Sequence, residues 1–489
     1  MVDLSLDTAA KHSVWTRLRS RGIDLARHLS RATEQFWLSR WYFPAMLLAA
    51  VGFAAANQQV AGVGVLLCLA AWFTAFCPDL LSCVCPLAMV FLMAGPCYAD
   101  LSIFFPCAIL LLPLLAALLL HLVIWPVTLR AGRSARGLVL VSVATLLGGC
   151  DVMQQSEFWR PLSLYYTLGL GVMLLVIYLL FRSCLAEEHG DDLPARFGGI
   201  FYTLGLLMAA EVFCTYLWRW QEFVDAGALL FLNYRNFAAT ILLTTLPMTL
   251  YFALRSRKHL AVTAVLLLAM VLTGSRSALL FGAVEVVVGC IYLVRYGAVS
   301  RKAMLTVTVV FAAVMAVFGI RVVGTLYADR IANGLISKGE LRWKLLDCGI
   351  NDFLRHPVFG MGLGNTANCE MLESVKGSMF FYHNLPLQVL ASMGLVGLVA
   401  YGCLIVDRIA LLLKKRSAFT MALGMCYLGM LLVSMTNPGE FCPLPNAGLM
   451  VIVFAMVEEA TGDATVPVTR PLGVRRHSRR TRSVTYAHK

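Results

Sequence analysis

The sequence predicts an all-α fold: a polytopic transmembrane helix bundle of about 12–14 spans, with one long external loop that carries a short amphipathic helix. Three observations lead there. First, 60% of the 489 residues are hydrophobic and 14% are charged, with a mean hydropathy of +0.77, whereas soluble domains carry about a quarter charged residues. Second, apolar stretches recur from Trp41 to Met456, each near the length that crosses about 30 Å of hydrocarbon. Third, those runs are continuous and lack the alternation of barrel strands, and backbone polar groups cannot be left bare in lipid. A soluble enzyme, a disordered chain and a fibrous repeat are excluded.

Spans are expected at 41–56, 59–76, 80–99, 102–125, 137–153, 163–182, 197–218, 237–254, 260–273, 279–294, 303–320, 385–406, 418–435 and 447–460. The short runs 41–56 and 260–273 also fit half-spans. With the N-terminus inside, cytoplasmic segments hold 29 of the 40 Lys and Arg, and most of the remainder falls in one long loop, which carries little topological weight. The chain therefore divides into a basic cytoplasmic N-terminal segment (1–40), a transmembrane bundle (41–320), an external loop (321–384), C-terminal transmembrane helices (385–460) and a basic cytoplasmic tail (461–489). Within the first, Trp15, Leu18, Leu25, Leu29 and Trp37 among arginines predict a helix along the inner interface. Its apolar run begins too late and continues into a span, unlike a cleavable signal. The net charge of +13 reads as a topology signal plus attraction to anionic lipid heads, not as a nucleic-acid surface.

Most of the fifteen cysteines lie inside spans, where the thiol is a small hydrophobe. Cys83 and Cys85 share an apolar span, which argues against zinc; Cys348 and Cys369 share the long loop and are a candidate pair. In that loop, Trp343, Leu346, Ile350 and Phe353 fall on one face of a helix expected over 341–354, with Arg342, Lys344, Asp347 and Asn351 mostly on the other, and Pro357 stops it. This helix fits either the outer leaflet or a lid over the bundle. Then come Pro357, Gly360, Gly362, Gly364 and Asn365, where glycines at spacing two allow tight turns and close approach to a ligand. No strand precedes and no Lys-Ser/Thr follows, so this is neither a dinucleotide fingerprint nor a phosphate loop. His383-Asn384 stands at the outer mouth of the next span, where an imidazole titrates near neutral pH.

Arginine in short external loops runs against the positive-inside bias. Arg219 and Arg235 flank the 219–236 loop, and Arg276 lies in Thr273-Gly274-Ser275-Arg276-Ser277-Ala278 between two spans. A guanidinium presents a planar fork suited to phosphate oxygens; the alternative is snorkelling to lipid phosphates. Glu211 and Glu285 lie within apolar spans, where a carboxyl is a functional hypothesis by default. They are the main support for a second reading, a flippase or secondary transporter. The acidic cluster Glu187, Glu188, Asp191 and Asp192 reads as a solvated cytoplasmic loop.

The ordered set from Asn233 to Val399 resembles the bacterial O-antigen ligase and polymerase superfamily of membrane glycosyltransferases. The resemblance rests on Asn233 to Ala238 opening a span, Ser275-Arg276-Ser277 in a short external loop, Pro357 to Asn365 late in a long one, His383-Asn384, and Gly394-Leu395-Val396-Gly397. It covers roughly a third of the chain; the span cysteines and the tail from Arg470 are not features of that family.

The resemblance implies a glycan donor carried on undecaprenyl diphosphate at the outer face of the bacterial cytoplasmic membrane. Its glycan would pass to a hydroxyl of a glycan, lipid or protein acceptor, without a nucleotide sugar, cofactor or required metal. His383 and Arg276 would then act at the reacting centre, Arg235, Arg276 and Arg219 on the diphosphate, and Gly360, Gly362, Asn365 and Asn384 in positioning the loop. Direct attack would invert the anomeric configuration. Whether His383 removes the acceptor's proton or only positions the acceptor is left open, as is the choice between ligation and polymerisation.

Overall fold

The computed structural model describes residues 28–94, 101–125, 127–154, 161–184, 193–218, 220–221, 235–297, 302, 306, 309, 343–363, 381–437, 439–441 and 444–460. Among them every regular element is a helix, and the chain is an all-α polytopic bundle. In chain order the helices are α1 (His28–Leu38), α2 (Tyr42–Ala55), α3 (Gln59–Phe76), α4 (Leu81–Met93), α5 (Phe105–Ile124), α6 (Arg133–Gln154), α7 (Ser163–Cys184), α8 (Leu193–Trp218), α9 (Arg235–Ala253), α10 (His259–Leu272), α11 (Arg276–Arg295), α12 (343–355), α13 (Leu385–Lys414), α14 (Ala418–Ser434) and α15 (Leu444–Glu459). Thirteen of the fourteen expected spans coincide with one of these helices. The fourteenth, 303–320, lies almost entirely outside the described residues.

Seven of the described helices are long and apolar enough to cross a membrane, and α1 with α2, bent by 84°, makes an eighth such unit. The bend is held from inside. Trp37 is buried and donates to Asp79 at 3.2 Å, while Arg196 donates to the carbonyls of Trp37 and Leu38 at 2.8 and 2.7 Å. The expected interfacial residues before His28 lie outside the described residues, as do the 187–192 cluster and the tail from 461.

α9 is the centre of the bundle, packed by α8, α10, α11 and α14, whereas α5 exposes most of its apolar side chains at the edge. A central helix rich in threonine is tolerated because its hydroxyls are satisfied within the helix. Thr240, Thr244 and Thr245 donate to the carbonyls four residues back at 2.8, 2.8 and 2.7 Å, and Thr249 to Leu246 at 2.7 Å.

The two ends of the bundle differ. At one, Arg133 and Arg136 converge on the buried Asp407 at 3.1 and 2.8 Å, and Ser134, Tyr178 and Arg182 converge on Glu458. At the other end, among the described residues, the backbone departs from helix at Gly394, at His383 and after α14, all next to α13, and the candidate site lies there. Between the ends, Arg408 is buried in the bundle. It pairs with Glu440, donates to the Tyr427 hydroxyl at 3.2 Å, and lies 4.8 Å over the Phe454 ring.

Candidate functional site

The site is built on a break in α13. Gly394 takes φ +62° and ψ −156° inside the helix, a region essentially closed to residues with a Cβ. A helical α13 would bond the Leu395 N–H to the Ala391 carbonyl and the Val396 N–H to the Ser392 carbonyl. The break frees both pairs, and the segment after α12 takes them up. Met361 and Gly362 donate to the carbonyls of Ala391 and Ser392 at 2.7 and 3.0 Å. Leu395 and Val396 donate to those of Pro357 and Val358 at 2.9 and 3.2 Å. Irregular backbone within a membrane bundle needs such partners.

This exchange accounts for the glycines. Gly360 has φ +76° and Gly362 φ +99°. A Cβ on Gly360 would lie 2.3 Å from the Met393 nitrogen, and one on Gly394 would lie 2.3 Å from the Val358 carbonyl oxygen. The close approach of Gly360 and Gly362 is to α13 itself. Asn365 lies outside the described residues.

His383 and Asn384 lead into α13. Asn384 caps the helix, its Oδ1 accepting from the Leu387 N–H at 3.0 Å, as a short polar side chain does at this position. His383 is half-buried and has φ +55°, a left-handed conformation unusual for a residue with a side chain. Before it, Tyr382 is buried. Its N–H donates to Gln388 Oε1 at 3.1 Å and its hydroxyl to Asp352 Oδ2 of α12 at 2.5 Å.

A turn after α14 joins this corner to the start of α11. Asn384 Nδ2 donates to the Met435 carbonyl at 3.2 Å, and Asn437 Nδ2 reaches Ser277 Oγ at 3.4 Å. Ser277 is the neighbour of Arg276, with which α11 opens. His383-Asn384 and Arg276-Ser277 are therefore brought to one end of the bundle, bridged by residues 435–437. The side chain of Arg276 lies outside the described residues, as does Arg219. Arg235 opens α9, half-buried, and α9 packs against α11.

The remaining candidates lie elsewhere. Glu211 is buried in α8 and Glu285 in α11. Glu285 faces α14, where a Cβ on Gly429 would meet its Oε1, and neither of its oxygens has a hydrogen-bond partner among the described residues. Cys348 is buried in α12; its candidate partner Cys369 lies outside the described residues.

The face of α12 expected to be apolar is divided: Trp343 and Ile350 are 69% and 43% exposed, Phe353 is half-buried, and Leu346 packs against the small core of Leu345, Cys348, Tyr382, Leu387 and Ala391. Asp352, 1% exposed, meets Tyr382 from the same side.

Residues 261–402 match a family model described as O-antigen ligase. Over that segment the chain is similar to the O-antigen ligase family, which supports the resemblance to the O-antigen ligase and polymerase superfamily. The matched segment runs from α10 through the break in α13. It includes Arg276, the Pro357–Gly362 segment and His383-Asn384, the parts that the geometry gathers; Arg219 and Arg235 precede it. No curated protein matches the chain significantly. The chain is a multi-pass membrane protein, and the family that residues 261–402 are similar to is one of glycosyltransferase-like enzymes.

Asp352, Tyr382, Gln388 and Asn437 escaped the sequence reading. The Asn437-Pro438-Gly439 run is a turn signal that marks an irregular segment, but nothing local ties it to Ser277.

Proposed function

We propose that the protein transfers a glycan from undecaprenyl diphosphate to an acceptor hydroxyl at the outer face of the bacterial cytoplasmic membrane, in surface polysaccharide synthesis. In this reading both termini are cytoplasmic and the 321–384 loop is external. The donor is the lipid-linked glycan, and the acceptor is a glycan, a lipid or a protein. The observation that carries the reading is the bridge through Met435 and Asn437, which joins the His383-Asn384 corner to the first turn of α11.

The chemistry follows from the side chains. The acceptor oxygen bonds to the anomeric carbon as the carbon–oxygen bond to the diphosphate breaks, so one displacement inverts the configuration. The acceptor's proton passes to the His383 imidazole, a role commonly worth about 10²–10⁴-fold. Negative charge develops on the departing undecaprenyl diphosphate, and the guanidinium groups of Arg276 and Arg235, with Arg219, stabilise it without a required metal. Pro357–Gly362 and Asn384 hold the surrounding backbone.

The test is release of undecaprenyl diphosphate by purified protein, with a synthetic lipid-linked glycan, an acceptor panel and a chelator. His383→Ala and Arg276→Ala abolish release while the protein stays inserted and folded. Arg276→Lys is also poor, since a point charge does not replace the bidentate fork. Near-normal release in both alanine variants refutes the assignment. The extended product identifies the acceptor.

A second reading, a lipid-linked oligosaccharide flippase or transporter, is favoured by Glu285, a buried intramembrane carboxyl. It requires that Glu285→Gln stop lipid movement in vesicles; the transferase reading requires that this variant keep releasing the diphosphate.

A further inference from the structure

We propose that Asp352 and Tyr382 are positioning residues for His383: their hydrogen bond ties α12 to the residue preceding His383, so the docked position of α12 sets where the imidazole stands. The inference deepens the transferase reading and rests on it for the role of His383.

His383 adopts φ +55°, and such strain persists only where the surroundings over-determine it. Both neighbours are fixed. Asn384 is held through its Oδ1 to Leu387 and its Nδ2 to Met435. Tyr382 is held at both extremities: its N–H on Gln388, which in turn donates to Ser392 Oγ at 3.0 Å, and its hydroxyl on Asp352. Between those points its ring fills a small core with Leu345, Cys348, Leu387 and Ala391. α12 approaches so closely that a Cβ on Gly349 would lie 3.0 Å from Tyr382 Cδ1.

The choice of residues speaks for geometry over cohesion. Phenylalanine at 382 and an apolar residue at 352 would fill this pocket without burying polar groups, which is costly unless they are bonded. A bond between a carboxylate and a phenol is directional and fixes distance and angle. α12 meets α13 through this small core, and the Pro357–Gly362 segment that follows it docks on α13 in turn.

The experiment uses the full chain in lipid nanodiscs, with two readouts: transfer kinetics, and the rate at which diethyl pyrocarbonate modifies His383, followed by peptide mass spectrometry. Asp352→Ala and Tyr382→Phe lower kcat by about 10–100-fold, the usual cost of a misplaced group, while KM for the donor stays within about twofold. Asp352→Asn keeps an oxygen to accept from the hydroxyl and recovers most of the loss. The Asp352→Ala/Tyr382→Phe double variant is no worse than either single one, since both remove the same bond. The modification rate at His383 changes in Asp352→Ala and Tyr382→Phe but not in Asp352→Asn.

Wild-type kcat and an unchanged modification rate in Asp352→Ala and Tyr382→Phe overturn the proposal, as does an Asp352→Asn variant as impaired as Asp352→Ala. Transfer that survives His383→Ala instead removes the transferase role of His383, and the modification rates still decide whether Asp352 positions it.

Discussion

Gly394→Ala probes the break in α13 most directly. The substitution forces a Cβ into φ +62°, ψ −156°, which costs about 1–3 kcal/mol in backbone strain. It also sets that Cβ 2.3 Å from the Val358 carbonyl oxygen and 2.7 Å from the Phe359 nitrogen, so the two segments must separate. The four exchanged bonds are then at risk, and each buried backbone group left unpaired costs about 1–3 kcal/mol. Even with two of the four retained, two donors and two acceptors are left unpaired and the loss is at least about 5 kcal/mol. Unfolding by SDS titration of the protein in mixed micelles measures it, with cleavage by a protease between 357 and 362 as a local readout. Gly402 lies in the same helix, with nothing within 4 Å of its would-be Cβ, so Gly402→Ala is neutral or stabilising by up to about 1 kcal/mol. If Gly394→Ala behaves like Gly402→Ala, the account of the break is wrong.

Further outcomes follow from the same geometry. Arg408→Ala leaves Glu440 buried without its cation and destabilises the protein by about 3–5 kcal/mol, whereas the Arg408→Met/Glu440→Met pair recovers most of this; equal losses in the single and paired variants would refute it. Asn437→Ala removes the 3.4 Å contact to Ser277 and changes stability by no more than about 1 kcal/mol. If residues 435–437 align the two sides of the site, kcat nevertheless falls several-fold; wild-type turnover would remove the bridge from the mechanism. Gly360→Ala, whose Cβ would sit 2.3 Å from backbone atoms of Ser392 and Met393, loses stability and transfer together, and loss of only one in paired unfolding and activity assays would contradict the docking of this segment on α13.

The spans were legible because hydropathy sums over about twenty residues, and local errors average out. The facing of α12 stayed open in the sequence, because its stripe of Trp343, Leu346, Ile350 and Phe353 measures affinity for an apolar phase, and at a membrane both lipid and protein are apolar. The role of Asp352 was not legible, since its partner Tyr382 comes thirty residues further on. The pairing of Arg408 was not legible either, since its counter-charge, Glu440, comes from the turn after the next helix. The candidate residues His383, Asn384, Gly360, Gly362 and Arg276 were legible as a set because their order and residue types match a known pattern. Their convergence depends on residues 435–437, which no local pattern links to them.

The location of irregular backbone carries an argument of its own. A membrane bundle confines non-helical backbone to places where protein groups satisfy it, so each departure from helix needs its own set of partners. Here the Gly394 break, the left-handed His383 and the 435–441 turn each have such partners, and all three adjoin one end of α13. The first is satisfied by Pro357–Gly362, the second by its fixed neighbours, and the third by Ser434, whose Oγ accepts from the Glu440 N–H at 3.0 Å, and by Asn446, whose Nδ2 donates to the Gly439 carbonyl at 2.9 Å. A fold that needed only to cross the membrane would have no use for three such segments together. Their grouping places a histidine and the arginine-bearing start of α11 within one region. In the transferase reading proposed above, this region would orient the charged headgroup and the hydroxyl acceptor.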